Sequence, residues 1–282
     1  MVKKIGFIDS SIDEWHANHL PEWIKAAERG SEFEVAMAWE EAPLQGRPLQ
    51  VWCNDFGVTP ATSQEELIEK CDCICVLAPA NPEKHYELSK LALQSGKPTF
   101  IDKPFALDIS DAKRMADLAE KYNTPFFSTS SLRFCDALQT ALREKFQEGA
   151  PTAALAVGAG KTFDEYGIHL LEMIVCALGC GAIRVMGIGN DSEHQLLIDY
   201  KDGRSAVAAL YPAAPYALTL SRNRTIAVMN DMQNFFIGFT EALLDFFTTG
   251  VPPVPFAETL EIASLRAAGV EALKNPGTWI NL

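Results

Sequence analysis

Short apolar runs alternate with longer amphipathic segments from the start of the chain to about Ser128, and this rhythm restricts the fold more than any other feature. KIGFID, FEVAMAW, CICVLA, PTFID and PFFSTS read as strands, and helices are predicted to begin near Asp13, Glu65, Pro82 and Asp108. Runs apolar on both faces suit parallel strands covered on both sides. The repeated strand–helix order predicts an α/β domain over residues 1–128, built on a doubly wound parallel sheet. Asp108-Ile109-Ser110-Asp111 supplies capping groups for a helix start, and Gly96 a helix stop. Residues 43–62, rich in proline and glycine, read as a long connection.

After Arg133 the rhythm changes. A helix over ALQTALREKFQEG, a strand near ALAVG and a helix from about Glu165 to Leu178 precede a series of strand-like runs without helices between them. AIRVMGIG, HQLLIDY, SAVAALY, YALTLS and TIAVM, joined by turns such as Lys201-Asp202-Gly203, predict an open, mostly antiparallel sheet. Two helices, about 234–249 and 257–274, complete a second α/β domain over 129–282.

Composition excludes several classes of function. A net charge of −13 opposes nonspecific binding to a phosphate backbone, so no nucleic-acid partner is expected. No apolar run approaches the roughly 20 residues that span a bilayer, and the run after Lys3-Lys4 is too brief for a signal peptide. Seven scattered cysteines suit reduced thiols, hence a cytoplasmic protein. Cys71, Cys73 and Cys75 alternate along a strand and read as core thiols, as do Cys176 and Cys180.

Two strings carry chemistry. TFIDKPFALD ends a strand on Asp102-Lys103-Pro104, where parallel sheets keep their active sites, and Pro104 restricts the backbone of Lys103. FDEYGIHLLEMIVCALG places Glu165, His169 and Glu172 on one helix face. The order of these parts resembles the Gfo/Idh/MocA family, NAD(P)-dependent oxidoreductases of sugars, polyols and related compounds. LAPANPEKHYELSKLALQSGKPTFIDKP resembles its central segment, SLRF its domain junction and GVPPVPFAETLEIASLRAAGVEAL its closing helices. The family's EKP stands here as DKP, and its DxGxHxxD as Glu165 to Glu172 with both acids exchanged. A glycine-rich turn is missing: Asp9-Ser10-Ser11-Ile12-Asp13 occupies its place.

The resemblance implies an N-terminal Rossmann domain, a polyhydroxylated small-molecule substrate and hydride transfer without a metal. Lys103 would polarise the reacting oxygen and His169 would move the proton, oriented by Glu165. The cofactor would contact Asp9, Ser10, Ser11, Ile12, Glu40, Ala78, Asn81, His85, Asp102 and Lys103. Glu40 and Glu41 would repel a 2′-phosphate, which favours NAD over NADP. Arg133, Tyr166 and Glu172 would join Lys103 and His169 at the substrate. Asn81 reads equally as a helix cap before Pro82. His16 and His19 read as lining the first helix. The missing turn leaves a second reading open, a non-catalytic relative that binds a ligand or regulates. A broad apolar sheet face implies a homo-oligomer, dimer or tetramer.

Overall fold

The computed structural model describes residues 2–42, 46–190 and 192–282. The chain divides into two compact units, residues 1–129 with 239–255 and residues 130–238 with 256–282.

The first unit follows the strand–helix rhythm. Its elements are β1 (Lys3–Asp9), α1 (Trp15–Ala26), β2 (Phe33–Glu40), α2 (Leu49–Phe56), β3 (Thr59–Pro60), α3 (Gln64–Lys70), β4 (Cys73–Val76), α4 (His85–Leu93), β5 (Thr99–Ile101), α5 (Ile109–Tyr122) and β6 (Phe126–Phe127). The strands form one parallel sheet in the order β3-β2-β1-β4-β5-β6. Strand order therefore reverses between β1 and β4, and the crevice at their carboxyl ends is where an open α/β sheet takes its ligand. Gly6 lets α3 lie close on β1, since a Cβ there would meet Leu67 at 2.4 Å.

Residues 43–62 are not one long connection: they hold α2 and β3, while 43–45 lie outside the described residues. Pro48 and Gly57 bracket a helix instead of marking a loop, Gly57 stopping it in the left-handed region at φ 69°. Burial of Trp52 and Cys53 supplies the packing that the local sequence did not advertise.

The second unit holds α6 (Asp136–Lys145), β7 (Ala153–Ala159), α7 (Phe163–Leu178), β8 (Ala182–Gly189), β9 (His194–Tyr200), β10 (Ser205–Tyr211), β11 (Ala217–Arg222), β12 (Thr225–Met229), then α8 (Phe235–Thr249), which starts here, α9 (Phe256–Lys274) and β13 (Trp279–Asn281). Its sheet runs β12-β11-β7-β10-β9-β8-β13, antiparallel except for the β7–β10 pair. The apolar helix α7 begins at the Thr162 cap and ends at Gly179, burying Leu170, Leu171, Ile174 and Val175.

From Phe239 the chain belongs to the first unit again. Phe239 packs on Phe100 at 5.2 Å between ring centroids and Phe246 on Phe127 at 4.9 Å. Lys3 Nζ donates to the Phe247 carbonyl at 2.7 Å.

Candidate functional site

At the carboxyl ends of β1, β2, β4 and β5 the chain brings several carboxylates to one turn. Asp9, ending β1, is buried; its Oδ1 accepts from the Ser11 amide at 3.0 Å and its Oδ2 from the Ala78 amide at 3.1 Å. Burial pushes its pKa up to about 6 against those hydrogen bonds. Ser10 donates to Asn81 Oδ1 at 3.1 Å, so Asn81 braces the turn and its side chain does not cap the helical turn after it. Glu40, ending β2, accepts from the Ile12 amide at 3.1 Å and from the Leu49 amide at 3.0 Å. Asp13 joins Arg47 and Asn18, each within 2.9 Å, and the Arg47 guanidinium holds its carboxyl well below the usual range.

With Asp13 committed to Arg47, α1 starts one residue after Glu14, and Glu14 is its cap. The Glu14 carboxylate accepts from the His16 amide at 2.7 Å and from the Ala17 amide. A helix start is an anion site, and here the anion is the chain's own. Burial pushes Glu14 up to about 7, with Asp9 and Asp102 adding repulsion and His16 opposing.

His16 does more than line the helix. Its Nδ1 lies 2.8 Å from Asp102 Oδ2, a close ion pair without hydrogen-bond alignment. Burial works against a charged imidazole, but the Asp102 carboxylate outweighs it and His16 is raised. For Asp102 burial acts upward, yet the charges of His16 and Lys103 hold it well below the carboxylate range. The Lys103 amide donates to Asp102 Oδ1 at 2.7 Å, the Lys103-Pro104 peptide is cis, and Lys103 is half-buried.

His85 has no surface to offer a cofactor. Its ring is fully enclosed, with Nδ1 3.1 Å from the Phe105 carbonyl and Nε2 2.7 Å from the Leu77 carbonyl. Burial lowers its pKa, while Asp102 and both carbonyls pull the other way. It fastens the segments that follow β4 and β5.

In the second unit His169 lies on α7 with Nδ1 2.8 Å from Ser130 Oγ; the Glu165 carboxylate expected there is exposed at the first turn. The His169 ring sits 6.4 Å from Tyr166 and 5.9 Å, edge-on, from Tyr216. Tyr216 was invisible as a site residue, though Gly158 gives it room: a Cβ at 158 would meet its ring at 2.6 Å. Arg133 and Glu172 are not surface contacts for a substrate. Both are buried, paired at 2.7 Å, and Arg133 also reaches Glu258 at 2.7 Å. No cluster of metal-ligating side chains occurs among the described residues.

The sign of the pH response follows from the turn. Asp9, Glu14 and His16 are all raised in the folded protein, so the stability they contribute is present below their unfolded values and is lost as pH rises through the folded ones. The lowered Asp13 and Asp102 act oppositely, only below about pH 4. Urea unfolding is expected to show stability falling by about 2–4 kcal/mol between pH 5 and pH 8. A flat profile would refute this electrostatic description.

No helix among the described residues is long and apolar enough to cross a membrane. Residues 14–130 match the model of an oxidoreductase family with an NAD-binding Rossmann fold, Gfo/Idh/MocA. An uncharacterized oxidoreductase of Streptococcus pneumoniae is 30% identical over 98 residues, 34% of this chain and 26% of that protein. The 1,5-anhydro-D-fructose reductase of Ensifer adhaerens is 27% identical over 129 residues, 45% and 38%. The chain thus spans well under half the length of these curated relatives. Among solved structures, a probable dehydrogenase from Thermotoga maritima has a TM-score of 0.82 at 15% identity, covering 99% and 98% of the two chains. The scyllo-inositol dehydrogenase of Lactobacillus casei, solved with NAD(H) and scyllo-inositol, has a TM-score of 0.80 at 16% identity, covering 100% and 99%. Residues 14–130 thus resemble the NAD-binding Rossmann domain of the Gfo/Idh/MocA oxidoreductases, and the likeness in fold to these solved structures extends over the whole chain.

Proposed function

We propose that this chain is an NAD-dependent oxidoreductase acting on a hydroxyl or carbonyl of a sugar, polyol or related small molecule. The observation that carries this reading is the carboxyl end of β5, one strand along from the switch point between β1 and β4, where Asp102 holds the Lys103 backbone. The donor set of the first turn suits a phosphate, because the His16 and Ala17 amides already hold a carboxylate that stands in for one. Ser11, Ile12, Glu40 and Ala78 would border the dinucleotide, with Glu40 and Glu41 disfavouring NADP. When bound, the nicotinamide accepts or returns the hydride.

Lys103 donates from Nζ to the reacting oxygen and stabilises alkoxide charge as it develops. Ser130 Oγ, 2.8 Å from Nδ1, holds the His169 ring, and His169 takes the hydroxyl proton, or returns it in reduction. Tyr166 and Tyr216 flank the imidazole and bias which hydroxyls reach it. The open face of the second sheet, with Leu155 and Trp279 exposed, is a surface for a second copy of the chain.

One observation favours the second reading, a relative that senses a ligand without catalysis: Ser11, Ile12, His16, Ala17 and Ala78 all give their amides to the chain's own carboxylates. Titration with NADH and NADPH, followed by cofactor fluorescence, decides between the two. Binding of NADH ahead of NADPH supports the oxidoreductase, and no binding of either at millimolar concentration to folded protein leaves the ligand sensor.

A further inference from the structure

A helix start offers its first amides to one anion at a time. At α1 those amides, His16 and Ala17, are taken by Glu14, a side chain on the same turn whose carboxylate cannot diffuse away. A tethered ligand acts at a high effective concentration, so any free anion seeking the same donors binds more weakly by the factor needed to expel it. Charge adds to the effect. Around Glu14 stand Asp9 at the end of β1, Asp102 after β5, and the cations His16 and Lys103. His16 is turned to Asp102, and the facing atoms, His16 Nδ1 and Asp102 Oδ2, are buried without an aligned hydrogen bond. The turn thus holds a cation paired with Asp102 at 2.8 Å and a carboxylate on the amides that a phosphate would take.

We infer that Glu14 is an intramolecular competitor of the dinucleotide's phosphates: its carboxylate must leave the His16 and Ala17 amides before the pyrophosphate can take them, and His16 is the cation that then meets it. This rests on the dinucleotide reading above. The competitor weakens as it gains a proton, and Glu14, raised to about 7 by burial, does so in mild acid. Cofactor affinity therefore increases as pH falls from 8 to 6. His16, Asp9, Asp102 and Lys103 face the same turn and contribute to the slope, so the contribution of Glu14 is the difference between the wild type and a variant lacking its carboxylate.

The experiment is an NADH titration by fluorescence and calorimetry at pH 8 and pH 6, on the full chain, with thermal melts on every variant. Glu14→Ser keeps a neutral helix cap; Glu14→Gln keeps the shape if the serine variant does not fold; Glu22→Gln, at an exposed position of α1, controls for net charge. The expected result is a Kd for NADH at least tenfold lower in Glu14→Ser at pH 8, a wild-type Kd that drops several-fold toward pH 6, a flatter profile in the variant, and no change in Glu22→Gln. Wild type and Glu14 variants binding NADH within twofold of each other would overturn the competitor while leaving the oxidoreductase reading intact. Failure of folded wild type and folded variants alike to bind would overturn both.

Discussion

Arg133→Ala is expected to destabilise the second unit by about 3–5 kcal/mol, the usual consequence of removing one partner from a buried ion pair. Glu172 keeps only 2% of its surface exposed and takes its hydrogen bond from Arg133 Nε at 2.7 Å. Without the guanidinium its buried carboxylate loses the charge 2.7 Å away that compensates its burial. Urea unfolding at pH 7 measures the loss. Replacing both partners by methionine is expected to recover much of the stability, since two apolar chains of similar length leave no orphaned charge. A loss below 1 kcal/mol accompanied by a large rise in KM would instead restore Arg133 to the substrate-binding role that its position suggested.

Lys103→Ala is expected to lower kcat by about 100- to 1,000-fold, the effect of deleting one preorganised donor to a developing oxyanion. The Kd for NADH should change only a few-fold, because the amide of residue 103 still donates to Asp102 and the β5 end keeps its shape. Lys103→Arg is not expected to rescue, since a planar fork does not reproduce a compact ammonium. His169→Ala should lower kcat by a comparable factor and flatten its pH profile near neutrality. Unchanged turnover in both variants would remove the proposed chemistry.

The parts of the fold fixed by apolar patterning were legible in the sequence. Parallel strands buried on both faces leave continuous hydrophobic runs, and β1, β2, β4, β5 and β6 all announce themselves this way. Helix α2 did not, because Pro48 and Gly57 look like loop residues until burial of Trp52 shows that they enclose a helix. The two-residue β3 and the terminal β13 are too short to show a period. At the site, Lys103 and His169 stand out by residue type. Glu14 did not, because a glutamate before an aromatic residue looks like any surface acid, and its importance comes from Asp13 being drawn away by Arg47. Ser130 and Tyr216 meet His169 only through tertiary packing, which leaves no mark on local spacing.

The return of residues 239–255 to the first unit bears on how this protein is made. Phe127 and Phe100 wait for Phe246 and Phe239, more than a hundred residues downstream, so a nascent chain halted near residue 129 leaves the ribosome with an aromatic face bare. Strands β7 to β12 of the second sheet must be made before the first sheet is sealed. A gene fragment ending at that boundary therefore encodes a sticky intermediate rather than a free-standing domain, and one extended to residue 255 carries the missing aromatic cover.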